Sequence, residues 1–196
     1  MIVPRLLAAA VLALGLAACG PAGPTFKGSD VTGATLARDF ALQDPTGATR
    51  TLADFRGKVV VVFFGFTQCP DVCPTTLSTL AEAMKALGPD ADRVQVLFVT
   101  VDPERDTPAL LAEYVPAFDK RFLGLRGDEA ALEQTAKEFK VIYQKVPGAT
   151  PDTYTVDHSA GTFVYDPAGR LRVYMGHGQT AEAFAHDIRA LLSQAG

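Results

Sequence analysis

The stretch VVVVFFGFTQCPDVCPTTLSTL, residues 59–80, runs from a hydrophobic strand into a helix and carries Cys69 and Cys73 at the changeover. Lys58 to Phe64 reads KVVVVFF, a run with no polar face, so it is predicted as a central strand buried on both sides of a sheet. From Pro74 the pattern changes: Leu77, Leu80, Ala81, Met84 and Leu87 recur at three- and four-residue spacing. That spacing predicts an amphipathic helix reaching Leu87, with Met84 as a core residue and not a ligand. Two thiols at such a junction have four chemical uses. They can shuttle electrons, reduce a peroxide, hold a metal ion or staple the chain.

Local geometry favours reactive thiols. Cys69 and Cys73 enclose three residues, Pro70-Asp71-Val72. Residues four apart on a helical turn hold their Cβ atoms roughly 5–6 Å apart on one face. Thiolates so placed can share one metal with little strain or close to a disulfide after a small shift. With Pro74 as the first helical residue, Cys73 is expected at the N-cap, where the helix N-terminus favours the thiolate. A purely structural disulfide would close a loop of only a few residues and stabilise little.

The remaining chain alternates strands and helices. Short strands are expected around the Asp44-Pro45-Thr46-Gly47 turn, a second buried strand over Val94 to Val101, and a helix opened by Thr107-Pro108. A short strand over Phe122 to Leu125 and a helix over Asp128 to Phe139 follow. Thr162 to Tyr165 and Leu171 to Tyr174 then pair across the Asp166-Pro167-Ala168-Gly169 turn, and Thr180 caps a last helix. This order predicts an α/β protein with a thioredoxin-like fold, a central mixed β-sheet flanked by helices, and no internal repeat. The cysteines fall at the C-terminal end of the central strand, where open α/β sheets place their chemistry.

The N-terminus reads differently. After Arg5, the apolar run Leu6 to Ala18 falls short of the about 20 residues a membrane crossing needs, and reads as a signal-peptide core. It ends in Leu16-Ala17-Ala18-Cys19, which resembles the bacterial lipobox and implies cleavage before Cys19 and lipidation of that cysteine. The expected organisation is a lipoprotein signal peptide over 1–18, a Gly/Pro-rich lipid-anchored tether over 19–33, and one domain over 34–196. Gly20 does not decide between inner and outer membrane. The domain is thus expected outside the cytoplasm, on the periplasmic face of a bacterial membrane. Cys69 and Cys73 are then the two thiols left in an oxidising compartment. A net charge of −4 with interspersed signs and no Lys/Arg block excludes a nucleic-acid partner.

Three segments in order, FGFTQCPDVCPTTL, TVDPERDTP and VDHSAGTFVYD, resemble the hallmark segments of the Sco/SenC family, with similarity over about residues 36 to 192. The resemblance implies a membrane-tethered copper protein required to assemble the dinuclear copper site of cytochrome c oxidase. It further implies that Cys69, Cys73 and His158 form the copper site. Two soft thiolates and one imidazole suit Cu(I) in a trigonal site and can also hold Cu(II), whereas zinc wants a fourth ligand. Where thioredoxins keep a cis-proline before the strand beside the central one, this chain reads DHSAGTF and offers a histidine. His177 and His186 match no family ligand position and are taken as structural. Asp71 and Asp157 are expected as capping or solvated residues, with orientation of a ligand by hydrogen bonding, or direct binding of Cu(II), as the alternative. Asp102 and Asp106 are expected to organise the turn into the next helix, with Arg105 as ion-pair partner.

The implied function is a metallochaperone delivering copper to subunit II of the oxidase, with a second periplasmic copper carrier or a thiol reductant as further partner. The runner-up is a thiol–disulfide oxidoreductase that uses Cys69 and Cys73 to reduce the cysteines of the oxidase copper site. A peroxidase is disfavoured: VCPTT echoes the peroxiredoxin loop, but Pro70 stands where that family has a threonine.

Overall fold

The computed structural model describes residues 23–150 and 153–194. The segment expected to be a signal peptide, and Cys19, expected to carry the lipid, lie outside the described residues. The buried run forms strand β4 (Val59–Gly65), every residue of which is buried. It lies in a six-stranded sheet of order β1-β10-β9-β4-β5-β6. The other members are β1 (Ser29–Asp30), β5 (Val94–Thr100), β6 (Leu123–Leu125), β9 (Thr162–Tyr165) and β10 (Leu171–Met175). β4 pairs parallel with β5 and antiparallel with β9, so the sheet is mixed and the thioredoxin-like expectation holds. A small hairpin of β2 (Leu42–Gln43) and β3 (Thr49–Arg50) flanks the expected Asp44–Gly47 turn.

Helices cover both faces of the sheet. They are α1 (Val72–Leu87), α2 (Pro108–Tyr114), α3 (Glu129–Phe139) and α4 (Ala181–Ser193). Thr107, Asp128 and Thr180 each cap a helix by accepting a backbone N–H on the side chain. The α1 residues Leu77, Leu80, Ala81, Met84 and Leu87 are all buried, and α1 packs against α4. On one face of the sheet, Phe64 and Phe163 meet the Phe139 ring at centroid distances of 5.1 and 5.2 Å. Strand alternation turns Phe63 and Gly65 to the opposite face, towards Cys73.

Three expectations need correction. Helix α1 begins at Val72, so Asp71 is the N-cap and Cys73 already lies inside the first turn. A second hairpin, β7 (Tyr143–Pro147) with β8 (Tyr154–His158), was not foreseen. It forms its own two-stranded sheet, with Tyr143 opposite His158. Finally, part of the expected tether is folded: Ser29–Asp30 pairs with Val173 and Tyr174 as an edge strand, so the folded unit starts before residue 34.

That edge strand is latched by Asp187, a fully buried α4 carboxylate. It accepts hydrogen bonds from the Lys27 and Gly28 backbone N–H groups at 2.7 and 2.8 Å, and pairs with His186 Nδ1 at 2.8 Å. Substituting Asp187→Ala is expected to destabilise the fold by about 1–3 kcal/mol, because two backbone donors lose their partner. Urea denaturation reads the loss, and hydrogen exchange should show the Lys27 and Gly28 amides unprotected. Unchanged protection there would contradict the latch.

Candidate metal centre

The chain reverses from β4 into α1 through Phe66–Asp71, and this turn carries Cys69. Cys73 follows on the first turn of α1, and His158 is the last residue of β8. The sulfurs of Cys69 and Cys73 and a ring nitrogen of His158 all lie within 4.8 Å of one another. His158 Nε2 stands 3.5 Å from Cys73 Sγ across 85 residues of sequence. Cys69 Sγ accepts the Cys73 backbone N–H at 3.4 Å, and both cysteines are free thiols. Among the described residues this is one convergent group of metal-ligating side chains.

Burial and hydrogen bonding set the character of each donor. Cys73 is fully buried, while Cys69 and His158 are half-buried and open the group to solvent on one side. Burial pushes the Cys73 thiol up, outweighing a hydrogen bond from the Phe66 backbone that pulls it down. This burial works against the thiolate that the helix N-terminus was expected to favour at Cys73. The sulfur is buried because it packs against Gly65 of β4. Burial lowers the His158 pKa, partly opposed by a hydrogen bond to the Ser159 backbone and by Asp157.

The histidine tautomer follows from its neighbours. His158 Nδ1 lies 3.0 Å from the Ser159 carbonyl, which can only accept, so Nδ1 carries the proton. Nε2 is left with a free lone pair facing Cys73. The imidazole is further held edge-on by the Phe66 and Phe63 rings, with centroids at 5.9 and 6.3 Å. Neither Asp71 nor Asp157 orients a ligand by hydrogen bonding, in line with the capping or solvated place expected of them. Asp71 is exposed at the head of α1 and accepts from Thr75 Oγ1 at 3.3 Å. Asp157 is exposed on β8, where strand alternation turns it away from His158. Ser159 was missed because its contribution is a backbone carbonyl, which no residue type advertises.

The other histidines stay apart. His177 lines a small cleft with Thr75, Thr79 and Thr162, and His186 pairs with Asp187. The two aspartates of DPERDTP, Asp102 and Asp106, are more deeply placed than a turn requires, both fully buried. Asp106 accepts from Thr67 Oγ1 at 2.6 Å, from Thr100 Oγ1 at 2.5 Å and from the Thr67 backbone. It thereby fixes the chain just before Cys69. Asp102 pairs with Arg105 as expected.

Comparison with known proteins agrees with this geometry. The SCO1/SenC family model matches residues 29–193, and the chain belongs to that family. It is 40% identical over 153 residues to the mitochondrial protein SCO2 homolog of Mus musculus, covering 77% of this chain and 60% of that protein. The chain thus spans about three-fifths of the length of the mammalian relatives it matches. Among solved structures, apo Sco1 of Thermus thermophilus superimposes with a TM-score of 0.77 at 44% identity, over 88% of this chain and 100% of that one. Copper-bound ScoI of Bradyrhizobium japonicum gives 0.72 at 40% identity, over 79% and 98%.

Gly65 is the packing condition for the group. A Cβ there would lie 2.8 Å from both Cys73 Sγ and Phe98 Cε2. Gly65→Ala is expected to cost about 1–3 kcal/mol through overpacking and to displace the Cys73 sulfur. Urea denaturation, together with faster reaction of Cys73 with a thiol reagent, would register both effects. A variant as stable and as slow to react as wild type would contradict the packing described.

Proposed function

We propose that this chain is a copper carrier, binding one copper ion through Cys69, Cys73 and His158 and passing it to the dinuclear copper site in subunit II of cytochrome c oxidase. The observation that carries the reading is the convergence of two sulfurs and one unprotonated imidazole nitrogen within 4.8 Å. Two soft thiolates with one imidazole match Cu(I) preferences and can also accept Cu(II). Copper here is cargo. Delivery by ligand exchange needs few ligands and an open side, and Cys69 and His158 are both partly exposed. An acceptor thiolate therefore approaches from their side, because Cys73 is covered by the sheet. Each thiol gives up its proton when copper binds and recovers one when copper leaves.

We place the carrier outside the cytoplasm, tethered through lipid on Cys19 to a bacterial membrane on its periplasmic face. The short apolar leader and the lipobox-like LAAC support that placement. Among the described residues no helix is long and apolar enough to cross a membrane. A second copper carrier that loads the site, or a reductant that keeps it as dithiol, completes the set of partners.

The same dithiol supports a second role, because Cys69 and Cys73 are adjacent free thiols. Reducing an acceptor disulfide would oxidise the pair to a Cys69–Cys73 disulfide, and two electrons and two protons would pass to the acceptor's cysteines. His158 takes no part in that exchange, and this separates the roles.

Anaerobic Cu(I) titration against a competing chelator tests the assignment. Wild type should bind one equivalent, and Cys69→Ala, Cys73→Ala and His158→Ala should each lose more affinity than the ~10–100-fold that follows loss of an outer hydrogen-bond partner. His158→Ala should retain most thiol–disulfide exchange. Tight binding that survives all three substitutions would overturn the copper site.

A further inference from the structure

The histidine-bearing hairpin is not hydrogen-bonded into the main sheet, so something else must fix His158 opposite the cysteines. Apart from the contact between Cys73 and His158 itself, its strands are tied to the body by polar contacts at two residues among the described ones, Tyr154 on β8 and Lys145 on β7. The Tyr154 hydroxyl donates to Asp102 Oδ1 at 2.8 Å, and its backbone carbonyl accepts from Arg105 Nη1 at 2.8 Å. The Arg105 guanidinium lies over the Tyr154 ring, with Cζ 3.6 Å from the centroid. Its Nε is ion-paired to Asp102, and Nη1 also reaches Gln68 Oε1 at 3.1 Å, next to Cys69. One more ion pair, Lys145 to Glu104 at 2.6 Å, joins β7 to the same loop.

We infer that Arg105, held by Asp102, is a positioning residue that clamps the Tyr154 end of β8 to the cysteine turn and thereby sets His158 against Cys69 and Cys73. The inference rests on the three-donor copper reading above and adds to it a residue that touches no donor atom. Its logic is geometric. Tyr154 and His158 lie four residues apart on one strand and face the same side. Fixing Tyr154 at its hydroxyl, ring and carbonyl therefore fixes the direction in which β8 delivers the imidazole. Arg105 suits the task because a planar, permanently charged fork can stack on a ring, pair with a carboxylate and donate to a carbonyl at once. Lysine, a point charge on one nitrogen, can donate to several acceptors but cannot lay a plane on the ring while it reaches both the carboxylate and the carbonyl. The buried Asp102 carboxylate is neutralised in the same arrangement, with the phenol and the guanidinium as its partners.

The test is a double-mutant cycle in the full-length chain, with Cu(I) affinity read against a competing chelator and amide exchange read in the copper-free protein. Arg105→Ala should weaken Cu(I) binding ~10–100-fold in the wild-type background and have no further effect in the His158→Ala background. In copper-free protein the same substitution should strip exchange protection from the β7–β8 amides while leaving β4 and β5 protected. Arg105→Lys should rescue neither readout. Should Arg105→Ala fail to fold, Tyr154→Phe removes one hydroxyl and should show the same background dependence with a smaller loss. Equal losses in both backgrounds, or no loss in the wild-type background, would overturn the clamp. If His158→Ala alone leaves affinity unchanged, the three-donor reading fails first, and the clamp's part in copper binding falls with it.

Discussion

The antiparallel pairing of β9 with β4, which sets Phe163 opposite Val62 and Thr162 opposite Phe63, brings together parts of the chain separated by about a hundred residues. Because β4 is buried on both faces, it must sit inside the sheet with a neighbour on each edge. β5 takes one edge in parallel, which sends β5 and its following loop to the same end as the cysteines. β9 takes the other edge in the opposite direction, so the residues just before it arrive at that end too. The cysteine turn, the Asp102–Asp106 loop and the end of β8 are thus gathered at one place by strand direction alone. Side-chain chemistry then acts on groups that topology has already assembled.

What topology leaves loose, buried charge makes specific. Asp102 and Asp106 would be costly alone in a covered site, and each is surrounded by donors. Asp106 ties the loop to Thr67, ahead of Cys69. Asp102, through Arg105, ties it to Tyr154, ahead of His158. One short loop therefore holds both ligand-bearing segments. Gly65 plays the complementary part by leaving space in which Cys73 can approach the sheet.

Much of this was legible in the sequence, for identifiable reasons. The KVVVVFF run and the leucine spacing of α1 carry strong periodic signals, and Thr107, Asp128 and Thr180 announce their helices by capping chemistry. Cys69 and Cys73 stood out by type and spacing, His158 only through the family resemblance of the segment that carries it, and the structure brings the three together. The β7–β8 hairpin was harder because YQKVP is polar and ends in proline. The alternation in YTVDH, which turns Tyr154, Val156 and His158 to one side, was the available signal. Strand β1 was hidden by Gly/Pro-rich surroundings, since its order comes from a remote carboxylate, Asp187. At Cys73 the helix-dipole argument takes no account of burial, which pushes the thiol the other way.

In the proposed reading these features combine into a partly open site that can take up and release a soft metal ion, with a dithiol that can also exchange electrons. The histidine separates the two capabilities, since disulfide exchange needs only the cysteines. X-ray absorption at the copper edge of the Cu(I)-loaded protein addresses that division directly. The account predicts three-coordinate copper with two sulfur scatterers and one imidazole nitrogen. Two-coordinate copper bound by sulfur alone would contradict it.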